Sequence, residues 1–235
     1  MGPKKYSQPV FDHIGLMTSV DQGRTWDFKG WILTSQYPCW TTLRRPDHLK
    51  GGQASKIVYQ GDADFSLFAN QRDSYMYIFY TQDRFNMVTR EAAHSIYAAR
   101  SPITAKGLPG TWKKYSDGSF SQPGNMGKES PIVPNNVAEP FVVYNTYLRK
   151  YMMTAYGQGQ RFAGRPVCHV FFSDDLVHWT KPQLLAPERA ELSAFYYTVC
   201  NPGDSGSPNT VGRMFTLFLA NHATNVKDVS VTIEP

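Results

Sequence analysis

Apolar positions along this chain fall in short runs rather than at helical spacing. "YMYIFYT" (Tyr75 to Thr81), "KYMMTAYG" (Lys150 to Gly157) and "RMFTLFLA" (Arg213 to Ala220) are aromatic and β-branched, and clusters of Gly, Pro, Asn and Asp separate such runs. That pattern predicts strands and turns with almost no helix, so the expected class is all-β. One stretch departs from it. "DADFSLFANQRDSYMYIFYTQ" places Asp62 and Asp64 at the mouth of a strand bound for a core.

The runs repeat. "DFSLFAN" (Asp64 to Asn70) matches "EPFVVYN" (Glu139 to Asn145), 75 residues on: a carboxylate, five mostly apolar residues, then Asn. "FYYTVCN" (Phe195 to Asn201) keeps the frame with Phe in the carboxylate position. Each copy is followed by a second run, and the first two are followed by further ones. These are "HSIYAARS" with "GTWKKY" in the first unit and "VCHVFFSDD" with "VHWTKPQLL" in the second. Four strands per unit, one unit after another, describe β-propeller blades.

The expected organisation is a single domain over residues 1–235. It has full blades at 61–118 and 138–185, a partial blade at 195–235, and the outer two strands of another at 13–33. This is short of five blades, so the propeller is expected to be incomplete or open. A lost N-terminal part, a second copy of the chain or the loop at 34–60 would have to cover its edges.

Composition narrows the class. Hydrophobic residues make up 41% and charged residues 18% of 235, which is globular. The net charge is +5, but Lys and Arg are scattered without a basic stripe, which argues against nucleic-acid binding. Cys39, Cys168 and Cys200 have neither paired nor CxxC spacing, and the histidines show no metal spacing. No cofactor is therefore expected, although the channel leaves room for a structural ion such as calcium. No apolar stretch is long enough to span a bilayer. "MGPKKYSQPVFDH" lacks a signal-peptide core, so the chain as written is expected in the cytoplasm, or outside it if a leader was removed.

Two hairpins and the paired carboxylates carry a resemblance. "SVDQGRTW" (Ser19 to Trp26) fits the Asp-box pattern, and "SDDLVHW" (Ser173 to Trp179) resembles a hairpin of arabinanase/xylosidase and invertase-type five-bladed glycoside hydrolases. "EPFVVYNTYLRKYMMTAY" is similar to their general-acid segment, and "DFSLFANQRDSYMYIFYT" to the segment carrying a second carboxylate. The resemblance implies Glu139 as general acid and Asp64 as the group that orients it and tunes its pKa. The family pattern also has a base, an Asp opening the innermost strand of the first blade. That strand is missing here, and Asp12 sits on another strand.

The residues support this reading independently. Innermost strands of successive blades start around one channel, so Asp64 and Glu139, at equivalent positions, should converge there. Glycoside hydrolysis needs one protonated and one ionised carboxyl, and neighbouring carboxylates in a half-buried mouth repel until one keeps its proton. The alternative role for both is capping of loops or of backbone N–H groups.

Candidate substrate contacts are Asp62, Trp40, Arg44, Tyr196 and Asn201. Asp21 and Asp175 read as turn residues, and Trp26, Trp112 and Trp179 as packing between blades. The expected partner is an oligosaccharide or polysaccharide, either hydrolysed or only bound. A propeller that binds protein through loops 34–60 and 118–137 is the other alternative.

Overall fold

The computed structural model describes residues 11–37, 57–86, 92–134, 136–162, 165–185, 194–201, 209–220 and 226–234. Among these the only helical segment is a single 3-10 turn, Ile103–Ala105. The remainder is strands and turns. A hairpin, β1 (Ile14–Thr18) and β2 (Asp27–Leu33), leads the chain. The first large sheet runs in chain order: β3 (Ile57–Asn70), β4 (Tyr75–Asn86), β5 (Ala92–Pro102), β6 (Lys113–Ser116) and β7 (Ser119–Pro123).

In the second large sheet β8 (Val137–Asn145), β9 (Lys150–Phe162), β10 (Arg165–Ser173) and β11 (Gln183–Leu184) follow one another. In the third, β12 (Tyr196–Cys200) pairs with β14 (Met214–Ala220), and β14 with β15 (Val226–Thr232). The short β13 (Thr210–Val211) leaves that unit and adds a parallel edge to β8. The result is an open, propeller-like all-β arrangement.

The core explains why the strands read as continuous apolar runs. Successive strand residues point to opposite faces, and here both faces are covered. On β4, Tyr77 and Phe79 pack toward the second sheet with Met153 and Phe171, whereas Ile78 and Tyr80 pack toward the hairpin with Ile14 and Leu33. On β9, Tyr151 and Met153 face the first sheet, and Met152 and Tyr156 face the third with Leu217 and Leu219. Apolar side chains thus fill each gap between consecutive sheets. Removing a large aromatic from such a gap costs about 3–5 kcal/mol.

Both Asp hairpins are closed by their own side chains. Asp21 accepts from the Thr25 N–H at 2.9 Å and from the Thr25 hydroxyl at 2.7 Å, and the Trp26 indole donates to the Gly23 carbonyl. Those bonds from Thr25, with another from the Ser19 hydroxyl at 2.8 Å, hold the Asp21 carboxyl down at about 2. Asp175 accepts from the His178 N–H at 2.8 Å, and the Trp179 indole donates three residues back to Leu176. Of the three tryptophans expected between blades, Trp112 is buried and Trp179 packs edge-on against Phe79. Trp26 does not, being 58% exposed: its indole is used by its own turn and its ring lies on the hairpin's outer surface.

Candidate functional site

Asp64 and Glu139 are built the same way. In β3, Ala63 pairs with Thr81 and Ser66 with Phe79, so Asp64 and Phe65 oppose one residue of β4. In β8, Ala138 pairs with Tyr156 and Phe141 with Thr154, so Glu139 and Pro140 oppose one residue of β9. Each sheet has a β-bulge at the carboxylate, and both carboxylate residues are left-handed, with φ of 42° at Asp64 and 58° at Glu139. A side chain held there costs roughly 1–3 kcal/mol and persists only where the surroundings impose it, a pattern concentrated at functional sites. Pro140 suits the unpaired position because it has no N–H to leave unsatisfied.

The two acids share a cavity of about 350 Å³. Phe65, Pro140 and Phe141 line it beside them, and Tyr196 and Thr198 enter from β12 of the third sheet. Phe65 is 52% exposed and Tyr196 39%, so rings stand open at the wall. Flat apolar faces next to hydrogen-bonding groups suit the two-sided chemistry of a sugar ring.

The Glu139 backbone N–H donates to the Thr81 hydroxyl of β4 at 2.8 Å, tying the second sheet's acid to the first sheet. Its Oε2 is shut off from solvent and has no hydrogen-bond partner among the described residues. Burial first, then the charges of Asp64 and Asp83, push its carboxyl up to about 8. A group in that state holds its proton at neutrality and can give it to a leaving oxygen. Burial, then Asp64 and Glu139, raise the Tyr196 phenol as well.

Three of the sequence candidates therefore meet in one pocket: Asp64, Glu139 and Tyr196. Asp62 does not join them, although two residues from Asp64 would mean the same face of a regular strand. The extra residue of the β3 bulge between Ala63 and Ser66, which begins at Asp64 itself, breaks that parity. Asp62 turns inward with no exposure. It accepts from Lys114 Nζ at 2.8 Å and from Gln82 at 3.2 Å.

Lys114 also donates to Glu129 at 2.7 Å and to the Thr34 carbonyl at 2.9 Å, so Asp62 belongs to a buried ion network. Burial and then Asp62 raise Glu129. Asn201 is likewise a structural residue: its side-chain oxygen accepts from the Gly212 N–H, as Asn145 accepts from Leu148 and Asn70 from Arg72. Asn70 and Asn145 close the turn directly after their strands, whereas Asn201 reaches Gly212, 11 residues on, ahead of β14. Trp40 and Arg44 lie outside the described residues.

The sequence reading missed Phe65, Phe141 and Thr81. The first two had a signal, since an aromatic follows each acid within two positions of the repeat. Among the described residues no group of three or more His, Cys, Asp or Glu could hold a metal ion.

No protein family matches the chain, and no curated protein matches it. Among solved structures it is similar in fold to an N-acetylgalactosamine deacetylase from F. plautii, determined with blood group B trisaccharide. The TM-score is 0.50 at 11% identity over 86% of this chain. The match takes in 52% of that structure, so this chain spans about half its length. The similarity is one of fold: an all-β scaffold of the kind seen in that carbohydrate-active enzyme carries two bulge-mounted acids in an aromatic pocket.

Proposed function

We propose that this protein recognises an oligosaccharide in the pocket between Asp64, Glu139 and Tyr196 and hydrolyses a glycosidic bond there, with Glu139 as proton donor. The observation that carries this is the pair of equivalent bulges, which brings two carboxylates from different sheets to one pocket with an aromatic wall. Asp64 stands beside Glu139 as the charge that helps keep its proton on. The F. plautii neighbour, solved with a trisaccharide, adds support from a related fold.

Hydrolysis by a carboxyl pair runs in one of two geometries, set by whether the second carboxylate attacks the sugar or activates water. In either, the Glu139 proton passes to the departing glycosidic oxygen as the bond to the anomeric carbon breaks, and that carbon bonds either directly to a water activated by Asp64 or to an Asp64 oxygen that water then displaces. A second reading, binding without turnover, is favoured by one observation: Asp64 and Glu139 are the only acids lining the pocket among the described residues, so with Asp64 serving solely as the charge beside Glu139 no carboxylate remains to act as base or nucleophile.

The test is a hydrolysis screen on aryl glycosides and on plant and algal oligosaccharides, with Glu139→Gln alongside. Turnover that disappears in the variant, while glycan binding remains, supports the enzyme. Binding without turnover in either protein supports the sugar-binding reading, and no sugar binding at all refutes both.

A further inference from the structure

Behind Glu139 the first sheet presents a second titratable pair. Asp83 of β4 stands opposite His94 of β5 in a register without interruption, and its Oδ1 meets His94 Nδ1. The two side chains are 29% and 16% exposed, and neither lines the pocket. Asp83 follows Thr81 by two residues, so both project from the same face of β4. Thr81 is the hydroxyl that accepts the Glu139 N–H.

A backbone link runs in parallel. The His94 carbonyl accepts the N–H of Asn136, three residues before Glu139. Asn136 and Glu139 are both left-handed, with φ of 64° and 58°. His94 thus anchors the start of the segment whose distortion aims the acid. The anchor is available because β6 pairs with only Ala99 and Arg100 of β5. The edge it leaves open at Ile96 and His94 takes up Val133 and Asn136 instead.

We propose that Asp83 and His94 form a positioning pair for Glu139, holding its strand through the His94 carbonyl and setting the charge beside its carboxyl through the imidazole–carboxylate contact. This rests on the reading of Glu139 as proton donor. The charge logic is simple. With both imidazole nitrogens protonated the pair is neutral. With one proton lost, Asp83 is a bare negative charge facing the sheet that carries Glu139, and ionising Glu139 then places a second negative charge nearby. Asp83 does act on Glu139 in this sense, after burial and Asp64.

The other titratable groups around the pair are accounted for. Asp64 approaches from the β3 bulge. Asp12, whose backbone carbonyl accepts the Asp62 N–H, lies before β1 with His13; burial and then Asp83 raise its carboxyl. His169 of β10 is buried on the face that packs against the first sheet, near Phe171. Arg84 follows Asp83 in β4 and so projects from the opposite face.

The experiment is a direct titration of the Glu139 carboxyl by carbon-13 NMR on the whole chain labelled at glutamate, with Glu139→Gln assigning the signal. Asp83→Asn should lower the Glu139 midpoint by about half a unit to one unit. His94→Gln, which leaves the Asp83 charge uncompensated, should leave it unchanged or raise it. A merely structural pair would move both variants in the same direction. The proposal is overturned if Asp83→Asn leaves the midpoint in place, or if both substitutions lower it alike. Thermal unfolding checks that the variants fold, and Asp83→Ser replaces Asp83→Asn should the latter not fold. No substrate enters this measurement. Coupling seen without any glycosidase activity would sink the hydrolysis reading alone, and activity without coupling would sink the positioning pair alone.

Discussion

Glu139→Gln should change how stability depends on pH, and the sign follows from the site. The folded protein holds the Glu139 proton up to about 8, while an ordinary glutamate releases it near 4.5. Between those values the unfolded chain binds fewer protons at this position than the folded one, so rising pH favours unfolding. The stability associated with the protonated acid is fully present below 4.5 and is lost as pH climbs through about 8. At about 1.4 kcal/mol per pH unit the whole window would amount to about 5 kcal/mol. Glu139 is only half-buried, and solvent screening reduces this to about 2–3 kcal/mol.

Glutamine has the same shape and no proton to lose. Urea unfolding of both proteins at pH 5 and pH 9 should show the variant gaining on the parent by that amount at the higher pH. That is a relative shift of about 1 M in midpoint for a slope of about 2–3 kcal/mol per M. Parallel behaviour at the two pH values, or a gap that narrows, would mean that Glu139 is not held protonated and would remove the physical basis for its role as acid.

Three further outcomes are expected. Asp64→Asn removes the largest charge acting on Glu139, so the basic limb of any pH–activity profile should move to lower pH. Lys114→Met strands Asp62 and Glu129 together in the interior and should cost about 3–5 kcal/mol, read by calorimetry, with part regained when Glu129→Gln accompanies it. Phe65→Ala, at a ring half open to solvent, should leave stability within about 0.5 kcal/mol while weakening oligosaccharide binding by titration calorimetry.

Much of this was legible because β structure writes itself at short range. Tyr77 to Tyr80 read as strand from four adjacent apolar residues, and the structure shows why all four are apolar: each face of β4 meets a different sheet. Asp64 and Glu139 were found through the repeat, which encodes equivalent positions in successive sheets without any long-range contact being known. Asp62 was misplaced because alternation assumes an uninterrupted ladder, and the inserted residue in β3 leaves no mark in composition. The Lys114 network was invisible for a different reason. Lys114 lies 52 residues from Asp62 and 80 from Thr34 in the chain, and nothing local to any of the three announces the meeting. The Asp83–His94 pair was hidden in the same way, each residue ordinary on its own strand.

The third repeat shows what the left-handed backbone is for. Phe195 occupies the place of Asp64 and Glu139, yet its backbone is not left-handed as theirs are. Phe195 packs its ring on Tyr156 at 5.1 Å. Acid and left-handed backbone occur together in two copies and are absent together from the third. If the units descend from one duplicated ancestor, the module that was copied or erased was a kink with a charge on it, and losing the charge left no reason to keep the kink. Chemistry in such a molecule can be added or withdrawn one sheet at a time, while the packing between the sheets carries on unaltered.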